Sequence, residues 1–165
     1  MLSKVTAKPG DNYNIAFKKQ IRTRTIRIAN YIIMALKITL KPKEKMILGK
    51  AVITNGPAKC EFMVENNVPI LRQGDILSPE KADTPALRIY LAIQLMYVDE
   101  ANMAGHQKLY WVLVNDFVAA APSSLNLIDQ INELILRENY YQALKLTQKL
   151  IDFEQEVIER VTKRC

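Results

Sequence analysis

Five lysines, Lys37, Lys41, Lys43, Lys45 and Lys50, crowd one short stretch in which Glu44 is the only anion, and Arg72 follows later. Cations at that density are what a nucleic-acid backbone requires, because each neutralised phosphate releases condensed counterions. Arg72 adds a planar fork suited to a bidentate bond to a phosphate or a base edge. The competing reading is that lysines beside strands solvate a sheet edge and keep it from pairing with other chains. Base stacking has little support here, since Phe62 is the only aromatic residue from 34 to 82 and is expected to face the core. The RNA-contact set read from the sequence is therefore Lys37, Lys41, Lys43, Lys45, Lys50 and Arg72.

Other chemistry finds no footing. His106 is the only histidine and has no carboxylate at metal-ligand spacing, so it reads as an exposed helix residue. The glycines at 10, 49, 56, 74 and 105 are isolated, and none opens a helix after a strand as a phosphate loop requires. Cys60 and Cys165 lack an adjacent base and are too few for a disulfide framework or a four-thiolate zinc site, which implies reduced thiols in the cytoplasm. No apolar run approaches the roughly 20 residues of a membrane-spanning helix. The expectation is a cytoplasmic protein that is not an enzyme and takes no cofactor or metal.

The elements that would position the cations are short strands. Leu36, Ile38 and Leu40 alternate with Lys37, Thr39 and Lys41, the period of a strand with one wet face. A polar connection at 43–45 leads to a second β-rich run from Met46 to Thr54, interrupted by Gly49. Asn55-Gly56-Pro57 then signals a turn. Cys60, Phe62 and Val64 alternate again, and a short run follows from Val68 to Leu71. After Asp83 the pattern becomes helical, with Thr84 as an N-cap and Pro85 at the first helical position. Residues 85–98 are apolar nearly all round and fit a buried helix or a buried strand, the helix being favoured. Arg88 in that run requires a partner if buried, for which Asp83 or Glu80 would serve. Further helices are expected over Asn102–Ala121, after a cap at Ser123 or Ser124, and from Tyr140, with Asn139 in a left-handed conformation between the last two. The fold class is α+β: a small antiparallel β unit at 34–82, then a helical unit at 83–165, packed together as one domain.

The net charge of +6 sits wholly in residues 1–33, which hold seven cations against one anion. That segment lacks the pattern of a signal peptide and reads as an upstream extension from a misplaced start, or an inert tail, ahead of a basic arm for nucleic acid. From 34 to 82 eight cations face five anions, and from 83 to 165 eight face eleven. The β unit is thus the side for RNA, and the acidic helical unit the side for packing or protein contact.

From Met34 onward the chain resembles the FlbT family of bacterial flagellar regulators. The matching residues are Met-Ala-Leu-Lys-Ile-Thr-Leu-Lys-Pro at 34–42, Glu-Asn-Asn-Val-Pro-Ile-Leu-Arg at 65–72, Asp75-Ile76-Leu77 and Ala82-Asp83-Thr84-Pro85. They continue through Arg88-Ile89-Tyr90, Gln94-Leu95-Met96-Tyr97, Ala119-Ala120-Ala121-Pro122 and Tyr140-Tyr141-Gln142-Ala143-Leu144-Lys145. The resemblance covers about residues 34–155 and has no counterpart for 1–33. It implies post-transcriptional control of flagellin, through the 5′ untranslated leader of its mRNA and typically by promoting decay, with a FlaF-type protein acting alongside. The alternative is a chaperone-like module that acts on flagellin or a FlaF-type protein without touching RNA. The oligomeric state is left open.

Overall fold

The structure is a computed structural model and describes residues 35–163. The expectations for residues 1–33 and for Cys165 lie outside the described residues. Strand β1 (Leu36–Leu40) pairs with β4 (Cys60–Val64) in a two-stranded sheet. Strands β3 (Ala51–Thr54), β2 (Lys45–Leu48) and β5 (Ile70–Arg72) form a three-stranded sheet in that order. Both of its ladders are antiparallel, with Met46 opposite Ile53 on one side and Arg72 on the other. Four helices follow: α1 (Pro85–Val98), α2 (Met103–Ala120), α3 (Leu125–Leu136) and α4 (Tyr140–Thr162). The α+β class is the one the sequence predicts.

By contacts the chain divides into two compact units. Of the described residues, 35–38 and Phe62–Asn67 fall in the first, and Thr39–Glu61 with 68–163 in the second. The division therefore does not follow the change from strands to helices. In the second unit, Ile47 of β2 and Leu71 of β5 belong to the same buried cluster as the helices.

The connection between β2 and β3 is a two-residue hairpin, since Leu48 pairs with Ala51. Gly49, at its first central position, has φ +60°. Right-handed strand twist favours turns with positive φ at that position, and glycine adopts it without a Cβ clash.

Residues 85–98 are a helix, buried on nearly every side. Ala86, Ile89, Ala92 and Ile93 are fully buried, and α1 packs against both α2 and α4. A helix covered from two directions loses the one-sided stripe that marks a surface helix, which is why its sequence also fits a strand. Each large buried aliphatic side chain here contributes about 1.5–3 kcal/mol. Arg88 faces solvent; its guanidinium donates to the carbonyls of Ala82 and Asp83 at 3.3 and 3.4 Å, so main-chain oxygens take the place of the expected acidic partners.

The N-terminus of α1 has every free amide satisfied. Pro85 has none, Ala86 donates to Glu154 Oε1 of α4 at 3.1 Å, Leu87 to Thr84 Oγ1 at 3.3 Å, and Arg88 to the Thr84 carbonyl at 3.0 Å. Thr84 is thus the cap read from the sequence, whereas Glu154, buried and 68 residues away, is not visible there. Gln94 is a second buried polar clamp, donating to the Leu77 carbonyl at 2.9 Å and accepting from the Leu77 amide at 2.8 Å.

Two cap expectations are corrected. Ser124 precedes α3, but its hydroxyl donates back to the Ala121 carbonyl at 2.7 Å and caps no amide. Between α3 and α4 the left-handed residue is Glu138 (φ 57°), not Asn139 (φ −92°). Asn139 N–H bonds to Leu134 O and Glu138 N–H to Ile135 O, the two bonds of a Schellman ending, and this register sets the left-handed site one residue earlier. A side chain in that conformation costs about 1–2 kcal/mol, so Glu138→Gly is expected to raise stability by about 0.5–1 kcal/mol after glycine's own entropic cost. Thermal unfolding checks this; an unchanged or lower Tm would count against it.

Among the described residues no single helix is long and apolar enough to cross a membrane.

Candidate nucleic-acid interface

The lysines of interest stand on the turn that joins β1 to β2. Glu44 N–H donates to Lys41 O at 3.1 Å, with Pro42 and Lys43 between them. Proline supplies the φ of the first central position, and Lys43, at the second, has φ 61°. Positive φ there is the signature of a type II turn, normally filled by glycine or asparagine. A lysine in its place costs about 1–2 kcal/mol locally, so surrounding bonds must hold it.

Those bonds come from two directions. Asn55 Nδ2 reaches the carbonyls of Leu40, Lys41 and Ala58 at 3.2, 2.7 and 2.9 Å. Asn55 N–H donates to Glu44 O at 2.9 Å and Lys43 N–H to Gly56 O at 3.0 Å. On the other side, Glu44 Oε2 accepts the Lys41 amide at 2.8 Å, and Glu44 Oε1 accepts Arg72 Nε at 3.0 Å and Nη2 at 2.7 Å. Arg72 Nη2 also donates to Thr39 O at 3.0 Å, and the Lys45 amide to Gln73 Oε1 at 2.8 Å. The Lys41 amide, followed by the Arg72 guanidinium, holds the Glu44 carboxyl below the usual range.

Three of the six sequence-predicted cations, Lys41, Lys43 and Lys45, are brought together on this braced turn. All three are exposed, and none forms an ion pair among the described residues. The one anion among them is already engaged by Arg72, so the turn presents concentrated positive charge. The other three are placed differently. Arg72 is the brace, with its fork on Glu44 rather than open to a ligand. Lys50, at the β2–β3 hairpin, pairs with Asp99 at 3.3 Å. Lys37 is exposed on β1, in the smaller contact unit.

Asp99 also accepts His106 Nε2 at 3.1 Å, and that bond, followed by the one from Lys50, lowers its pKa. His106 is buried, which corrects the expectation of an exposed residue. It lies on the α2 stripe with Tyr110, Val114 and Phe117, at the 4, 8 and 11 spacing of one helix face.

The brace makes a prediction that separates positioning from contact. Arg72→Ala releases the Glu44 carboxylate beside Lys41 and Lys43 and removes the tie to β1. On the reading that this turn contacts RNA, affinity is expected to fall roughly 3–10-fold through loss of the brace, and Arg72→Lys is not expected to restore it, because an ammonium lacks the fork. The sign with pH follows from the lowered Glu44 pKa. The brace is intact above the ordinary value of 4.5 and is lost as pH falls through the folded-state value. RNA titration of both variants checks this, and affinity unchanged by Arg72→Ala would show that the turn stands without its brace.

Among the described residues no group of three or more His, Cys, Asp or Glu side chains is placed to hold a metal ion.

Comparison with known proteins gives one family. The family described as "Flagellar protein FlbT" matches residues 36–158. A Bradyrhizobium diazoefficiens protein named "Probable flagellum biosynthesis repressor protein FlbT 1" is 47% identical over 125 residues, covering 75% of this chain and 85% of its own length. A Rhodopseudomonas palustris protein, also named a probable flagellum biosynthesis repressor, is 38% identical over 127 residues, 77% of this chain and 100% of its own. A Caulobacter vibrioides protein named "Flagellum biosynthesis repressor protein FlbT" is 34% identical over 131 residues, 78% and 93%. No solved structure matches.

Proposed function

We propose, from the premise that this chain belongs to the FlbT family of regulators of flagellar synthesis, that it acts after transcription by contacting the 5′ untranslated leader of flagellin mRNA. The observation that carries this reading is the braced turn. Lys41, Lys43 and Lys45 are exposed with no salt bridge among the described residues, on a backbone held in an unfavourable conformation by Asn55, Glu44 and Arg72. Preorganised cations of this kind meet phosphates without first losing side-chain pairs, and the binding is strongly salt-dependent. Aromatic side chains are absent from the turn, so it grips backbone and positions the protein rather than reading bases. The repressor names of the relatives support a negative effect on flagellin synthesis, which we assign to promoted decay of the message in the cytoplasm, with a FlaF-type protein as an accessory partner.

The test is a mobility-shift titration of the purified full chain with flagellin leader RNA at two salt concentrations, with and without a FlaF-type protein. Binding by the chain alone, weakening steeply as salt rises, is the expected result. Failure to bind at low salt, even with the partner present, would overturn RNA contact. A stable complex with flagellin or the FlaF-type protein in that same experiment would favour a chaperone-like module instead.

A further inference from the structure

We infer that the outer face of α2 pairs, antiparallel, with the same helix of a second copy of this chain. At the centre of that face Val112 is 52% exposed, and Leu109 and Trp111, 46 and 41% exposed, flank it on either side of a helix whose opposite stripe is already in the core. A helix that covers a core normally turns polar residues to water, and large apolar side chains left bare on its outer face mark a contact. Only two charged side chains lie on this face, Lys108 and Asp116, and neither has an ion pair or hydrogen bond among the described residues.

Their spacing chooses the occupant. Lys108 stands four residues before Val112 and Asp116 four after it. A two-fold axis at Val112 therefore sets Lys108 of each copy against Asp116 of the other, twice over, with the valines meeting on the axis. The same operation brings Gly105 opposite Ala119, small residues that let the helices approach to about 8–10 Å along a contact about 21 Å long. A parallel pair would instead set like charge on like. The face is self-complementary in the antiparallel sense alone.

The test is sedimentation equilibrium of the full chain over the micromolar range, with the emission of Trp111, the only tryptophan, followed on dilution. The wild-type chain is expected to be a dimer whose emission shifts red as it dissociates. Lys108→Asp and Asp116→Lys, each placing like charges together at two sites, are expected to raise the dimer Kd about fivefold or more. The double variant K108D/D116K is expected to return it to within about twofold, because both pairs are rebuilt with reversed sign. Val112→Glu, with two carboxylates on the axis, is expected to raise it more than about tenfold. These positions are exposed, so the fold persists, and circular dichroism checks that it does. A wild-type chain that stays monomeric at about 100 μM, or a double variant no better than the singles, would overturn the pairing. A face that takes a different protein while the chain stays monomeric would overturn it as well.

Discussion

Reversing two charges on the braced turn, Lys41→Glu with Lys43→Glu, is expected to weaken leader-RNA binding roughly 10–100-fold at low salt, because two phosphate contacts become two repulsions. The fold is expected to survive. Both side chains are exposed, and the bonds that hold the turn come from the main chain of residues 40, 41, 43 and 44 and the side chains of Asn55, Glu44 and Arg72. Circular dichroism and thermal unfolding of the double variant serve as the control. A variant that unfolds like the wild type yet binds RNA with full affinity would remove this turn from the interface. Arg72→Ala weakens binding by disturbing the platform, whereas the double reversal weakens it by altering what the platform presents. The two are distinguished by salt, since the reversal changes the salt slope by the larger amount, turning two cations of the turn itself into anions.

The largest effect on stability is expected at Glu154. Its carboxylate is buried in α4 and accepts the Ala86 amide in the first turn of α1, where the helix dipole also favours negative charge. Glu154→Ala leaves that buried amide without an acceptor and opens space beside Ala86, which is fully buried. The combined cost is about 2–3 kcal/mol. Glu154→Gln keeps an acceptor oxygen in nearly the same shape and is expected to cost about 1 kcal/mol. Denaturant unfolding of the two variants measures both; equal losses, or none, would show that the bond across 68 residues does not hold α1 to α4.

What the sequence disclosed divides along physical lines. Period-2 alternation located β1 and β4, and helical spacing located the buried faces of α3 and α4 through Ile128, Ile131, Ile135, Leu144 and Leu150. The Thr84-Pro85 pair is local chemistry and was legible as a helix start. Residues 85–98 were ambiguous because α1 is covered by both α2 and α4, which erases the polar face that periodicity depends on. The left-handed residue fell at Glu138 rather than Asn139 because the register of the last bonds of α3, not side-chain preference, selects it. His106 has no local partner in the sequence and so reads as exposed, although its spacing to Tyr110, Val114 and Phe117 carries the signal for a buried face.

The site shows the same division more sharply. Local density of lysine marked the turn, but not which cations are already spoken for. Arg72 meets Glu44 at a separation of 28 residues, and Lys50 meets Asp99 at 49, and no local pattern encodes either pairing. Asn55 reads as a turn residue in the sequence and is also the side chain that ties three carbonyls around the basic turn. Long-range pairing thus engages two of the six candidate cations, Arg72 and Lys50, and leaves Lys41, Lys43 and Lys45 together on the turn with no salt bridge among the described residues.

The most direct test is the slope of log Kd against log salt for leader RNA, measured on the full chain and on the triple variant Lys41→Gln, Lys43→Gln and Lys45→Gln. Each phosphate contact with a single strand contributes about 0.7 to that slope, so the variant's slope is expected to be shallower by about 2. Parallel lines for the two proteins would contradict the assignment, showing that any RNA bound is held by cations elsewhere in the chain.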